Sequence, residues 1–299
     1  MEFTLPARKP FDFLSVINSH GWVQLAPFHF DEESNTLHYV LQLANGRVVE
    51  LNMWDAGDGV GVETEKLERS ERREVADKVS WMFGLDMDFS RFYAASRGEP
   101  KLIRVKQRSL GRVLRSPTLF EDVVKTILTT NTLWGATKNM TRKLVDTYGS
   151  AQRGSVGVVE APNQKRAFPT LESIAASSPE VLKETVRVGY RAPAIHQLAV
   201  RVANGGLDLE SLKTSTLPTL ELRKELLTIN GVGPYAAANL LMILGRHDFI
   251  PIDSYALKMV SHEWYKGKPI TAKEVEKRFE KWGEFKGLAF WFWDWKHKD

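Results

Sequence analysis

The sequence predicts an α+β fold, an N-terminal antiparallel sheet followed by a larger all-helical body, on three observations. Apolar residues alternate with period two on either side of Asn45-Gly46, the spacing turns helical from about Glu65, and helix-start signatures recur from there on. The chain has 299 residues, enough for a sizeable buried core and about two domains. We place the boundary between 1–68 and 69–299. Within the first part, Pro10 to Ile17 suits one short helix, and Trp22 to Phe30 is an aromatic, apolar stretch that reads as strand. Leu37, Tyr39, Leu41 and Leu43 then alternate with polar or small neighbours, and Val48 to Met53 returns as the partner strand. Beyond it, Glu65 to Met82 is charged and helical in spacing. Thr118-Leu-Phe-Glu121 reads as a capping box, with the stripe Phe120, Val123, Val124, Ile127 and Leu128 behind it. Ser178-Pro179 opens another helix. Between Tyr148 and Ala167 the chain turns to Gly, Ser, Gln and charge, as in a loop insertion between helices.

Composition excludes several chemistries. There is no cysteine, hence no disulfide, thiolate nucleophile, Cys-ligated zinc or thiolate-held iron–sulfur cluster. No run approaches the roughly 18–20 apolar residues that span a bilayer, and the first ten residues lack an apolar signal core, so an intracellular protein without membrane association is expected. His29, His196 and His247 show no metal-ligand spacing. The formal charge of +4 permits a polyanionic partner without requiring one. Lys101, Arg104, Lys106, Arg108, Arg112 and Arg115 cluster in a stretch free of acids, which suits either a polyanion or a solvated basic connector.

The most informative passage is Leu226-Leu-Thr-Ile-Asn-Gly-Val-Gly-Pro-Tyr235. A helix ending near Ile229 meets Gly231-Val232-Gly233, and Pro234 opens the next helix, where its missing N–H costs nothing. The free amides of such a turn, at a positive helix end, make a seat for one phosphate; the alternative is a tight turn with no ligand. Pro234 to Leu244 spans roughly 16 Å, and the extended run Arg246 to Ile252 can reach about 20 Å, enough to return Asp253 toward the hairpin. Asp253 reads as the N-cap of the following helix, a role sufficient by itself.

Taken together, Ile229-Asn-Gly-Val-Gly-Pro-Tyr235 and Ile250-Pro-Ile-Asp253 resemble the helix–hairpin–helix, Gly/Pro-rich, aspartate superfamily of DNA glycosylases. Phe168-Pro-Thr170 and Gly189-Tyr-Arg-Ala192 are similar to further family strings. The resemblance runs from about Leu114 to the C-terminus, and the preceding sheet resembles that of the AlkA-like and 8-oxoguanine branches. It implies excision of a damaged base, an alkylated purine first of all, from duplex DNA after the nucleotide is flipped out. The alternatives are an 8-oxoguanine-type glycosylase and a non-catalytic hairpin DNA-binding module.

Residue by residue, the resemblance gives Asp253 the role of the carboxylate that stabilises positive charge on the sugar. Gly231, Val232, Gly233 and Tyr235 fall to the phosphate-binding hairpin. Tyr235 also stands where bifunctional members carry their Schiff-base lysine, which implies an enzyme without a β-lyase step. Asn131, with Thr132 and Leu133 beside it, aligns with the wedge that fills the gap in the stack, though an ordinary helix terminus would look similar. Trp134, Tyr190, Trp291 and Trp293 are candidates for the base pocket, and the tail rings read equally well as anchors of the last helix. The carbonyls of Leu227, Ile229 and Val232 would hold a Na+ or K+ ion, with no other cofactor required. Double-stranded DNA is the expected partner and a monomer the expected state.

Overall fold

The computed structural model of the protein describes residues 1–151 and 165–295. The glycine- and serine-rich stretch around 154–157, read as a loop insertion, lies outside the described residues. The sheet has five antiparallel strands, β1 (Glu2–Pro6), β2 (His29–Asp31), β3 (Thr36–Gln42), β4 (Val48–Asp55) and β5 (Gly59–Glu63), in the order β1-β5-β4-β3-β2. The helix α1 (Phe13–Ile17) and a 3-10 turn at Gly21–Gln24 lie between the first two strands. Helices follow: α2 (Arg69–Phe83), α3 (Ser90–Ala95), α4 (Ile103–Gln107), α5 (Leu119–Thr129), α6 (Trp134–Tyr148), α7 (Leu171–Ala175), α8 (Pro179–Thr185) and α9 (Ala192–Ala203). Then come α10 (Thr219–Leu227), α11 (Pro234–Ile243), α12 (Ser254–Trp264), α13 (Ala272–Phe279) and α14 (Lys286–Trp291).

The β3–β4 hairpin forms where alternation and Asn45-Gly46 predict it. Gly46 takes a φ of +85°, and Leu37, Tyr39 and Leu41 pair with Met53, Leu51 and Val49 on one buried face. Two expectations need correction. The stretch from Trp22 to Phe30 is a 3-10 turn and loop with strand only at His29 and Phe30, and Trp22 turns its indole into the helical body, to Asp122. Glu121 does not close a capping box: Thr118 caps the Glu121 amide at 3.2 Å, but the carboxylate is held by Lys125 at 2.6 Å and by the Tyr39 hydroxyl at 2.6 Å.

Those bonds tie the sheet to the helices. From Leu119 to Leu128 every residue of α5 is buried, charged ones included. Such a helix sits at a core centre, and its ionic groups must be paired inside it. Asp122 accepts hydrogen bonds from the Trp22 indole at 2.7 Å and the Ser116 amide at 2.9 Å. One apolar cluster accordingly runs from the sheet through α5 to α11. A second, rich in aromatic rings, gathers α3, α12, α13 and α14.

The basic stretch is divided: Lys106 and Arg108 are exposed, whereas the other four are tied to protein groups. Arg112 is buried and donates to the carbonyls of Arg8, Pro10, Gly84 and Met87, and Arg115 is buried against the Trp81 ring. Lys101 pairs with Glu263 and Arg104 with Asp294.

Burial pushes the Asp122 carboxyl up to about 6, against the pull of its two donors. A folded-state value above the unfolded one means that stability falls as pH rises from about 4 through 6, by no more than about 3 kcal/mol. Asp122→Asn retains the acceptor and removes the charge. Thermal unfolding should therefore show a higher Tm for the variant at pH 8 and no difference at pH 4.

Candidate functional site: a cleft and a groove that meet at Asp253

The hairpin is built from buried anchors and bare glycines. Ile229 and Val232 are buried, and the Val232 amide donates to the Ile229 carbonyl at 3.0 Å, closing the turn. Gly231 adopts a φ of +84°, and a Cβ there would lie 3.0 Å from the Ala194 Cβ and 3.4 Å from Ile127. The turn is thus pressed onto α9 and α5. Gly233 differs: it is the N-cap of α11, and a Cβ on it would point into open space. Tyr235 and Ala236 follow in the first turn of α11, where amides have no intrahelical partner.

Asp253 caps α12, its Oδ1 accepting from the Ala256 amide at 2.8 Å. That bond fixes the carboxylate and leaves the second oxygen without a partner among the described residues. The segment delivering it is held from behind. Gly287 of α14 donates to the His247 carbonyl at 2.7 Å, and a Cβ on Gly287 would lie 2.5 Å from the Phe249 carbonyl oxygen. Arg246 reaches the Ser215 carbonyl at 2.6 Å.

Two cavities share Asp253. A groove of about 700 Å³ runs along the hairpin and contains Asn131, Tyr190, Arg191, Gly231, Gly233 and Asp253. A cleft of about 280 Å³ enters the body beside it, walled by His20, Gly21, Trp22, Trp134, Asn239 and Trp291. Thr129, Thr132, Tyr235 and Asp253 line both. The cleft lies at the seam of the two apolar clusters, with Trp22 and Ile243 from one and Val113 and Met242 from the other. Among the described residues no lysine lines either cavity, and burial first, then the charge of Asp253, raises the Tyr235 phenol above its ordinary value.

The end of α5 forms a projecting loop over the groove. Asn131 has a φ of +46°, and Leu133 next to it is 83 % exposed, unusual for so large an apolar side chain. The Arg191 guanidinium donates to the carbonyls of Thr130 and Asn131 and stacks on the Tyr190 ring at 4.5 Å. Asn131 Nδ2 donates to the Tyr190 hydroxyl at 3.4 Å.

Of the rings considered for the base pocket, Trp134 and Trp291 line the cleft. Tyr190 does not. It is 64 % exposed and stands with Asn131 over the groove, because its glycine-led turn lies outside the body. Trp293 does not either: it is buried among Trp264, Phe279, Trp282 and Trp295 in the second cluster. Sequence reasoning missed His20, Gly21, Trp22 and Asn239. The Trp134 ring packs so closely on Gly21 that a Cβ there would lie 2.3 Å from it, and a glycine amid aromatic residues was the available signal. The carbonyls of Ile229 and Val232 belong to the hairpin turn and that of Leu227 to the end of α10; the Ile229 oxygen already accepts the Val232 amide. Neutral main-chain oxygens of this kind suit a hard monovalent ion. Among the described residues no group of three or more His, Asp or Glu side chains could hold a metal ion, and no helix is long and apolar enough to cross a membrane.

Comparison with known proteins places this geometry. The chain is 26% identical over 236 residues to a DNA-3-methyladenine glycosylase of Bacillus subtilis, covering 77% of this chain and 75% of the relative. Its fold is that of a 3-methyladenine DNA glycosylase from Archaeoglobus fulgidus, with a TM-score of 0.72 at 22% identity over 98% of this chain and 97% of the other. It is likewise that of a Clostridium acetobutylicum 8-oxoguanine glycosylase/lyase solved with duplex DNA, with a TM-score of 0.69 at 22% identity over 94% and 90%. The model of the HhH-GPD superfamily of base excision DNA repair proteins matches residues 124–285, more than half of the sequence, and the chain belongs to that superfamily.

Proposed function

We propose that the protein is a monofunctional DNA glycosylase that hydrolyses the N-glycosidic bond of a flipped-out alkylated purine in duplex DNA. The observation that carries this reading is the position of Asp253, on the border between a groove fit for the DNA backbone and a cleft fit for one base. In the groove, the amides at the start of α11 and the open space over Gly233 receive a backbone phosphate. Asn131, with Thr132 and exposed Leu133, fills the gap left by the extruded nucleotide, and Arg191 braces that loop from below. A Na+ or K+ ion on the carbonyls of Leu227, Ile229 and Val232 would add positive charge beneath the phosphate.

In the cleft, Trp22, Trp134 and Trp291 make an aromatic wall, which favours a base that carries positive charge, as a ring-alkylated purine does. As the bond between C1′ and the base nitrogen breaks, its electron pair leaves with the base and positive charge grows on the deoxyribose. The fixed carboxylate of Asp253 stabilises that charge without reorganising. Water then adds to C1′ and gives up a proton, for which the free oxygen of Asp253 is an acceptor. At the position of the Schiff-base lysine stands the phenol of Tyr235, which cannot form an imine, and this supports hydrolysis without strand cleavage. The same reasoning makes duplex DNA the partner.

Asp253→Asn keeps the helix cap, since Asn caps as well as Asp. It should lower single-turnover excision by at least about 100-fold while leaving duplex affinity nearly unchanged; unaltered excision would refute the assignment. Gly233→Leu should weaken binding about tenfold on every duplex alike, because a phosphate seat reads no sequence. A panel of duplexes bearing 3-methyladenine, hypoxanthine, uracil and 8-oxoguanine should show release of 3-methyladenine and no adduct trapped by borohydride. Preferred release of 8-oxoguanine with a trapped adduct would favour the lyase branch, and binding without any release would favour a non-catalytic module.

A further inference from the structure

We infer that His20 determines base specificity in the cleft, acting as a fixed hydrogen-bond acceptor that selects flipped bases carrying an N–H donor. The inference rests on the glycosylase reading and adds to it a requirement on the substrate's edge. Of the cleft's side-chain donors, the Thr132 and Tyr235 hydroxyls donate to no partner among the described residues, whereas the indoles, Thr129, Thr137 and Asn239 are engaged. The Trp22 indole N–H goes to Asp122 at 2.7 Å, that of Trp134 to Gln24 Oε1 at 2.9 Å, and that of Trp291 to the Ser19 carbonyl at 2.9 Å. The hydroxyls of Thr129 and Thr137 donate to the carbonyls of Thr126 and Leu128. Asn239 Nδ2 donates to the Tyr235 carbonyl at 3.0 Å. The wall has turned its nitrogen donors back into the protein.

His20 completes the pattern with the opposite result. Its Nε2 lies 2.6 Å from the Leu114 carbonyl oxygen, which can only accept, so Nε2 carries the proton and Nδ1 bears a lone pair. Nδ1 has no partner among the described residues. The ring cannot readily turn away: it packs on Trp22 with centroids 4.7 Å apart and meets Trp291 edge-on at 6.0 Å. Burial holds the imidazole neutral, its pKa pushed down to about 4 against the pull of the Leu114 bond and with help from the Lys125 charge. A protonated ring would offer a second donor; the neutral one offers an acceptor. Every purine stacks on the indoles, so stacking alone discriminates little. A buried acceptor left unpaired costs free energy, which penalises a base that brings no hydrogen to it.

The test uses the full chain and three duplexes. Hypoxanthine carries N1–H and 3-methyladenine an exocyclic amine, whereas 1,N6-ethenoadenine has no N–H at all. With the native protein, His20→Phe and His20→Gln, single-turnover kcat/KM is measured on each, with Tm as a check on folding. The Phe variant keeps the aromatic wall and loses the acceptor. It should lose about tenfold on the two donor-bearing bases and release ethenoadenine as fast as the native protein or faster, because the unpaired acceptor is gone. The Gln variant, with an amide to donate to Leu114 and an oxygen to accept, should recover the donor preference. An equal loss on all three bases, no loss, or a folded Gln variant that behaves like Phe would overturn the inference. Failure of the native protein to release any base would overturn the glycosylase reading itself, and this inference with it.

Discussion

The arrangement depends on burying one helix completely. Along α5, Glu121, Asp122 and Lys125 sit in the core beside Val123, Val124 and Leu128, and a charge removed from water is tolerable only where partners surround it. Those partners determine what packs around the helix. Glu121 takes Lys125 and the Tyr39 hydroxyl, which fixes the sheet; Asp122 takes the Trp22 indole, which fixes the turn that walls the cleft. Farther along, Ile127 meets the site where a Cβ on Gly231 would stand, which fixes the hairpin. The helix ends in the loop bearing Asn131. Sheet, cleft, hairpin and the loop of Asn131 therefore share one rigid reference.

The chemistry of the cleft follows from where its hydrogens point. The indole donors and the Asn239 amide are engaged with the protein's own oxygens, so aromatic rings, the His20 acceptor and the Thr132 and Tyr235 hydroxyls remain for a ligand. In the proposed reading such a wall, through its acceptor more than its stacking, selects rings that bring an N–H. In the proposed reaction Asp253 supplies the negative charge that a departing base calls for, and a helix amide holds and orients it. The phenol of Tyr235 stays neutral beside that carboxylate, so no second anion competes with it.

What could be read from the sequence was local. Gly231, Gly233 and Pro234 announce a turn because each satisfies a backbone demand within three residues, and Asp253 announces a cap for the same reason. The β3–β4 hairpin showed because alternation and its turn lie side by side. Strand β5 was hidden by its own glycines, which depress any strand reading. Yet a Cβ on Gly59 would lie 1.9 Å from the Leu5 carbonyl oxygen and one on Gly61 would enter the Trp54 ring, so those glycines are what lets β1 and β4 pair with it. His20 and Trp22 were missed because their partners, Leu114 and Asp122, lie about a hundred positions away, and no periodicity encodes that contact. The aromatic tail shows the limit most sharply: Trp291 reaches the cleft, while Trp293, two residues on, turns into the core.

The central claim is that the Asp253 carboxyl group stands against the sugar of an extruded nucleotide whose base occupies the aromatic cleft. The most direct measurement is a crystal structure of the protein bound to a duplex bearing a non-cleavable 2′-fluoro analogue of an alkylated purine nucleoside. The account predicts the base between His20 and the indoles of Trp22, Trp134 and Trp291, with C1′ in van der Waals contact with Asp253 and a phosphate at the Gly233 amide. A base left stacked in the duplex, or one extruded to a place remote from Asp253, would contradict it.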